Sequence, residues 1–165
     1  MTQIIPVRYA DAAKLMENIR ELTQAVKEGR LTLAEVGGFS QKELDGAYAC
    51  ACKYAELGQV AQAVQIAGYL IFLNPHDARC YQLVGICMQR LGQYEGADHF
   101  YRMAATLDAD NAMTAVYRGE AKIMAGQVDE GVGIVKAGLD LAEKEPTQNR
   151  ELIHRAHALI QQFSA

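Results

Sequence analysis

The chain reads as all-α, a superhelix of three helix-turn-helix repeats with a helical extension before them and one closing helix after. Three observations predict this. Gly58, Gly92 and Gly126 stand 34 residues apart, and each is followed by Gln in GQV, GQY and GQV. Small residues recur at two further places in the same frame: Ala51, Gly85 and Gly119, then Ala63, Ala97 and Gly131. Few breakers interrupt the pattern. There are 3 prolines in 165 residues, and Ala, Leu, Gln and Glu are abundant, all of which favour helix.

The extension comes first, over residues 1–39. Residues 1–9 carry Pro6 and no periodicity, which predicts a frayed start. From Asp11 onward Leu15, Met16, Ile19, Leu22 and Val26 form one apolar stripe on a helix that ends near Gly29. A helix outside the repeat frame must bury such a face somewhere. Either it packs on the first repeat, or it pairs with a second copy of the chain. Thr32 to Glu35 reads as a short capped turn, broken by Gly37 and Gly38. Ser40 and Glu43 then form a capping box, the hydroxyl accepting from the backbone while the carboxylate reaches back.

Residues 40–145 hold the repeats, framed as 44–77, 78–111 and 112–145. The A helices are predicted near 44–57, 78–91 and 112–125, and the B helices near 60–73, 94–107 and 128–142. The recurring glycine ends each A helix with a positive φ, where a β-carbon costs about 1 kcal/mol. The small residues mark where the two helices of a hairpin touch. A 34-residue frame of this kind is the tetratricopeptide signature, and three copies are about the minimum that stacks into a stable core. Residues 146–165 make the closing helix, with Thr147 as its expected cap. Leu152, Ile153, Ala156, Leu159, Ile160 and Phe163 would cover the last repeat.

Composition excludes several functions. A net charge of -4 argues against a partner held through phosphates, which needs a basic face. No apolar run approaches the ~20 residues that span a bilayer. The first residues lack the charged, apolar, then small pattern of a secretory signal. Cys50, Cys52, Cys80 and Cys87 read as reduced thiols of a cytosolic protein. Cys50 and Cys52 would point about 200° apart on a helix, which suits no metal site. His154 and His157 are one helical turn apart but have no nearby carboxylate set, so they read as solvated or half-buried. There is no phosphate-cradling glycine loop and no serine in a nucleophile-elbow context. The sequence therefore predicts no enzyme, no cofactor and no metal.

What remains is the surface that the repeats create. Stacked hairpins curve, and A helices line the concave side. The second, fifth, ninth, twelfth and thirteenth positions of each A helix should face it. From these the candidate groove comprises Tyr48, Cys52, Ala55, Arg79, Gln82, Ile86, Gln89, Met113, Val116, Glu120 and Ile123. Its mixture of apolar floor and separated polar groups suits an extended peptide, each buried apolar anchor contributing roughly 1.5–3 kcal/mol.

The entry GGFSQKELDGAYACACKYAELGQ, the centre LIFLNPHDARCYQLVGICMQRLGQYEGADHFYRMAATLDADN and the third-repeat MAGQVDEG carry a resemblance. In them the chain resembles the class II, tetratricopeptide chaperones of type III secretion translocators. The resemblance is close in pattern over residues 39–145 and looser over the whole layout. It implies a virulence-associated protein of the bacterial cytoplasm that holds a hydrophobic, pore-forming translocator subunit soluble and secretion-competent. It implies a groove that receives an extended client segment, no cofactor, no nucleic acid and no insertion into a membrane. It also implies a homodimer formed through the N-terminal helix, with Leu15, Met16, Ile19, Leu22 and Val26 at the contact. Tyr48 matches an aromatic groove position, whereas Cys52 and Ala55 fall where relatives often carry aromatics, which would widen this groove locally. Two other readings share the repeats: another tetratricopeptide adaptor, or a chaperone of needle or filament subunits. An adaptor that grips an acidic C-terminus needs a basic clamp, which Asp45, Glu56 and Glu120 oppose.

Overall fold

The structure, a computed structural model, describes residues 9–164, and the side chains of residues 9–13 and of Leu15 lie outside the description. The elements are α1 (Tyr9–Lys27), α2 (Leu33–Val36), α3 (Gln41–Glu56), α4 (Val60–Leu73), α5 (Ala78–Arg90), α6 (Tyr94–Leu107), α7 (Ala112–Met124), α8 (Val128–Ala142) and α9 (Arg150–Phe163). Among the described residues there is no strand. Helices α3 and α4, α5 and α6, and α7 and α8 form three hairpins, stacked in chain order through α4 on α5 and α6 on α7. Helix α9 then packs on α8 and touches α7. The row α3, α5, α7, α9 makes one side of the stack.

The hairpin turns are near-identical because their sequences are. Gly58, Gly92 and Gly126 adopt φ of +76°, +73° and +85°. The amide of each glycine donates to the carbonyl three residues back, at 3.1, 3.0 and 3.0 Å to Ala55, Gln89 and Ile123. The following glutamine amide donates to the carbonyl five residues back, at 2.9 Å in all three repeats. These paired bonds are the Schellman arrangement, which satisfies carbonyls that the end of the A helix leaves open. The B helices accordingly start at Val60, Tyr94 and Val128, where the repeat frame places them.

At the N-terminal side, both capping boxes form. Thr32 Oγ1 accepts from the Glu35 amide and Ser40 Oγ from the Glu43 amide, while both carboxylates accept from the cap backbone. The Ser40 box sets the start of α3 at Gln41, a few residues ahead of the repeat frame. Helix α9 departs from expectation in its start. Thr147 does not cap it, because residues 143–149 turn first and the helix begins at Arg150 behind Asn149. Asn149 Nδ2 instead donates to the carbonyls of Ala142 and Glu145, tying the turn to the end of α8.

The core is continuous from hairpin to hairpin, and glycine decides where backbones meet. A β-carbon on Gly119 would lie 2.7 Å from the Gly131 carbonyl oxygen and 2.8 Å from the Val135 nitrogen. One on Gly131 would meet the Gly119 oxygen and the Ile123 nitrogen at the same two distances. Helices α7 and α8 thus touch backbone to backbone. At the corresponding place in the second hairpin, Gly85 makes room for the ring of Tyr101, which is fully buried. Helix α9 covers the last hairpin with Leu152, Ile153, Leu159, Ile160 and Phe163, packed on Val116, Ile123, Val132, Val135 and Leu139. Its apolar face does what the sequence predicts.

The two glycine environments give opposite expectations. Gly119→Ala forces backbone apart and should destabilise by about 1–3 kcal/mol, lowering the melting temperature by several degrees. Gly68, on the open side of α4 with nothing near its absent β-carbon, should tolerate Ala and gain about 0.5–1 kcal/mol. Thermal unfolding followed by circular dichroism distinguishes them. The caps predict a pH dependence. Hydrogen bonds from Ser40 hold the Glu43 carboxyl below its ordinary value of 4.5, and those from Thr32 do the same to Glu35. A depressed folded value means that the stabilisation is complete above the ordinary value and is lost as pH falls through the folded one. The melting temperature should be level from pH 8 to about 5 and fall below the ordinary carboxylate range. Ser40→Ala should lower it by about 2–4 °C near neutrality and flatten the acid limb.

Candidate functional site: the concave groove

The row of A helices brings polar and aromatic side chains together in a cavity of about 370 Å³. Helix α5 supplies Ile86, Gln89 and Arg90, and α6 supplies Tyr94 and Tyr101. Helix α7 supplies Tyr117, Glu120 and Met124, and α9 supplies Arg155. Tyr101 forms the floor. Its ring is buried against Gly85, and its hydroxyl donates to Gln89 Oε1 at 2.9 Å. Burial raises its pKa, so the phenol stays neutral. Tyr117 lies beside it with ring centroids 6.4 Å apart and planes tilted by 55°.

Arg155 closes one end of this cavity. Its guanidinium binds Glu120 through Nε and Nη2 at 2.7–3.0 Å and sits 5.2 Å from the centroid of the Tyr117 ring. Burial works against the charge, but the Glu120 bonds outweigh it and the arginine pKa is raised. The opposite end of the helix row repeats the arrangement. The Arg79 guanidinium lies 4.9 Å from the centroid of Tyr48 and binds Asp45 at 2.8 Å and Asp77 at 2.7 Å. The Arg79 bond also holds the Asp45 carboxyl below its usual range. Each guanidinium is about half exposed, so each pair contributes little to folding by itself. Its structural effect is to hold a cation over an aromatic face.

The structure sorts the candidate residues into two groups. Ile86, Gln89 and Glu120 line the cavity, Tyr48 and Arg79 form the clamp at the first repeat, and Met113 is exposed near α9. Cys52 is half-buried beside Tyr48. Four others lie inside the stack. Val116 is 0% exposed and Ile123 4%, because the contact of α7 with α8 turns both toward Val132, Val135 and Leu139. Ala55 is 3% exposed, packed in the first hairpin, and its carbonyl accepts from Arg90. Gln82 is buried, and its amide is used as a strut that donates to Thr114 Oγ1 at 2.8 Å and Asn111 Oδ1 at 3.2 Å. These four do not form the wall.

Tyr94, Tyr101, Tyr117 and Arg155 are cavity residues absent from the sequence assignment, whereas Arg90 and Met124 stand at the thirteenth A-helix position that it turns toward the groove. Tyr117 stands one residue after Val116, so the assigned residue is buried and its chain neighbour lines the cavity. Arg155 belongs to the closing helix, which has no place in the repeat frame. Among the described residues no group of His, Cys, Asp and Glu could hold a metal ion. The Cys80 thiol is buried, and burial pushes it up to about 12, so it is protonated and inert at neutral pH.

The N-terminal helix carries a second apolar surface. Met16, Ile19 and Leu22 are exposed, while Val26 is half-buried. Of the two alternatives for α1, packing on the first repeat is not seen among the described side chains of the stripe, where Met16, Ile19 and Leu22 stay exposed. Ala25 is buried, its carbonyl accepts from Arg30 and Leu31, and the stripe above it stays open. Ile19, Leu22 and Val26 with Leu33 and Val36 of α2 line an apolar depression of about 290 Å³. The side chain of Leu15, also assigned to this contact, lies outside the described residues.

The fold is a stack of tetratricopeptide-like hairpins, similar to that of type III secretion translocator chaperones. The particular likenesses are to the low calcium response locus protein H of Yersinia pestis and to two chaperones of known structure. The first is 26% identical over 137 residues, 81% of this chain and 79% of that protein. PcrH of Pseudomonas aeruginosa, solved in complex with the chaperone binding region of PopD, superposes with a TM-score of 0.72 at 27% identity, covering 77% of this chain and 95% of that one. PcrH has also been solved with the chaperone binding region of PopB, where the TM-score is 0.69 at 28% identity over 74% and 98% of the two chains. The translocator chaperone SycD of Yersinia enterocolitica shares the fold, with a TM-score of 0.74 at 24% identity over 79% of this chain and 97% of that one. No family model matches the chain.

The sorting is testable by stability. Ile123→Ala should destabilise by about 2–5 kcal/mol as a core truncation. Ile86→Ala, at the half-open cavity, should cost about 1 kcal/mol or less, since little of its apolar surface is removed from water. Denaturant titration of both variants checks it.

Proposed function

We propose that this protein is a non-enzymatic chaperone of the bacterial cytoplasm that holds an extended segment of a type III secretion translocator in its concave groove. The observation that carries the reading is the open, Tyr-floored cavity on the A-helix row of a chain 27% identical to PcrH, a protein solved with a translocator segment. The physical task fits the residues. Membrane-seeking segments aggregate unless covered, and a groove already ordered covers one without a further ordering cost. Ile86, Met124 and Tyr117 offer apolar and aromatic area to the client's side chains over the buried ring of Tyr101, with Gln89, Glu120 and the arginines at the rim. No cofactor is required.

In this reading residues 40–145 with the closing helix 146–165 form the client-binding unit, and residues 1–39 form a dimerisation region. The exposed stripe Met16, Ile19 and Leu22 and the depression it shares with α2 support a homodimer through α1. SycD, of the same fold, is known in an alternative dimer.

Co-expression with type III secretion translocators, followed by copurification, tests the reading directly. A soluble complex is expected, and a client that stays insoluble in its presence counts against it. Ile86→Asp and Tyr48→Ala should each weaken the complex about tenfold or more while leaving the helical spectrum intact, as expected for loss of one apolar anchor. Deleting residues 1–30 should shift sedimentation toward the monomer and leave client binding in place.

A further inference from the structure

The two ends of the groove carry the same device, built from unrelated stretches of sequence. At one end Arg79 of α5 lies over Tyr48 of α3, held by Asp45 and Asp77. At the other Arg155 of α9 lies over Tyr117 of α7, held by Glu120. In both, Nε and Nη2 make all the hydrogen bonds, and Nη1 makes none among the described residues. Both side chains are about half exposed, at 46% and 48%. A guanidinium has five N–H donors in a rigid plane. Fixing one edge to carboxylates therefore aims the other edge, with two donors, at whatever lies on the row of A helices.

The charge around each fork says what it can accept. The first clamp sets one arginine against two carboxylates, and the second sets one against one. An incoming carboxylate gains nothing from either, and at the first it is repelled. A neutral acceptor, the carbonyl oxygen of a peptide bond, suits both. We propose that Arg79 and Arg155 donate to main-chain carbonyls of the client and so fix an extended segment at the two ends of the groove, whatever its side chains. The inference rests on the chaperone reading above. It accounts for how one groove of this kind can serve two clients, as PcrH does with the binding regions of PopD and PopB. Side-chain pockets alone would have to match both sequences.

The test uses two fluorescent peptides, the chaperone binding regions of PopD and PopB, titrated into the full chain by anisotropy. Arg79→Lys and Arg155→Lys keep the charge and the carboxylate contact but lose the second donor edge. Each should weaken both peptides by the same factor, about three- to tenfold, the loss of one hydrogen bond. A second measurement leaves the protein unaltered. Each amide of the PopD peptide is replaced in turn by an ester, whose carbonyl is a poorer acceptor. Two positions should lose affinity with wild-type protein, one of them no longer doing so with Arg79→Lys and the other no longer with Arg155→Lys. Wild-type affinity in both lysine variants, a loss confined to one peptide, or the lack of any ester-sensitive position overturns the proposal and leaves the chaperone reading standing. Failure of the wild-type protein to bind either peptide overturns both.

Discussion

Everything about the groove depends on how closely α7 approaches α8. With Gly119 and Gly131 facing each other, the two backbones meet, and a single added carbon would collide with main-chain atoms. That contact sets the rotation of α7 about its own axis. Val116 and Ile123 are then driven into the interior, and Tyr117 and Glu120 are left on the concave side. The second hairpin uses a different solution at the equivalent place. There Gly85 admits the ring of Tyr101, so the hairpin is propped open by an aromatic that becomes the floor of the cavity. Two glycines in one register position thus have two packing outcomes, decided by whether the partner residue is Tyr or Val.

This explains how much was readable from the chain alone. The repeat period, the Schellman turns, the B-helix starts and both capping boxes are local, each specified within a few residues, and the structure agrees with them. The groove is not local. Assigning wall residues by position in the repeat fails at the same positions in more than one repeat: Gln82 and Val116 are buried at the fifth, and Ala55 and Ile123 at the twelfth. Gln82 is polar and so reads as rim, yet its partners Asn111 and Thr114 lie about thirty residues on, at the junction with the third repeat. Arg155 could not be placed at all without knowing that α9 stands where a fourth A helix would. The closing helix was expected to begin near Thr147, but the link tied down by Asn149 delays it to Arg150.

Electrostatics in this molecule serves geometry more than stability. The ion pairs on the concave side are exposed enough to be screened, and each contributes little to folding. What they do is immobilise long side chains that would otherwise sample many rotamers. An ordered rim reduces the entropy that must be surrendered when a flexible segment settles on it. The interior shows the complementary economy of polar groups: among the described residues no buried side-chain nitrogen or oxygen lacks a hydrogen-bond partner. Asp98, on α6, meets Arg118 at 2.8 Å and Lys122 at 3.6 Å on α7, so the central junction is also neutralised.

The placement of Arg155 on α9 has a consequence for the order of events in the cell. A nascent chain that has emerged through α6 already owns Tyr48, Arg79, Ile86 and Tyr101, and so one half of the trough. It lacks Tyr117 and Glu120 until α7 follows, and the guanidinium over them until α9 has left the ribosome. Translation therefore finishes the receptor last at the end farthest from where folding starts. Only a chain whose own synthesis is over carries both clamps.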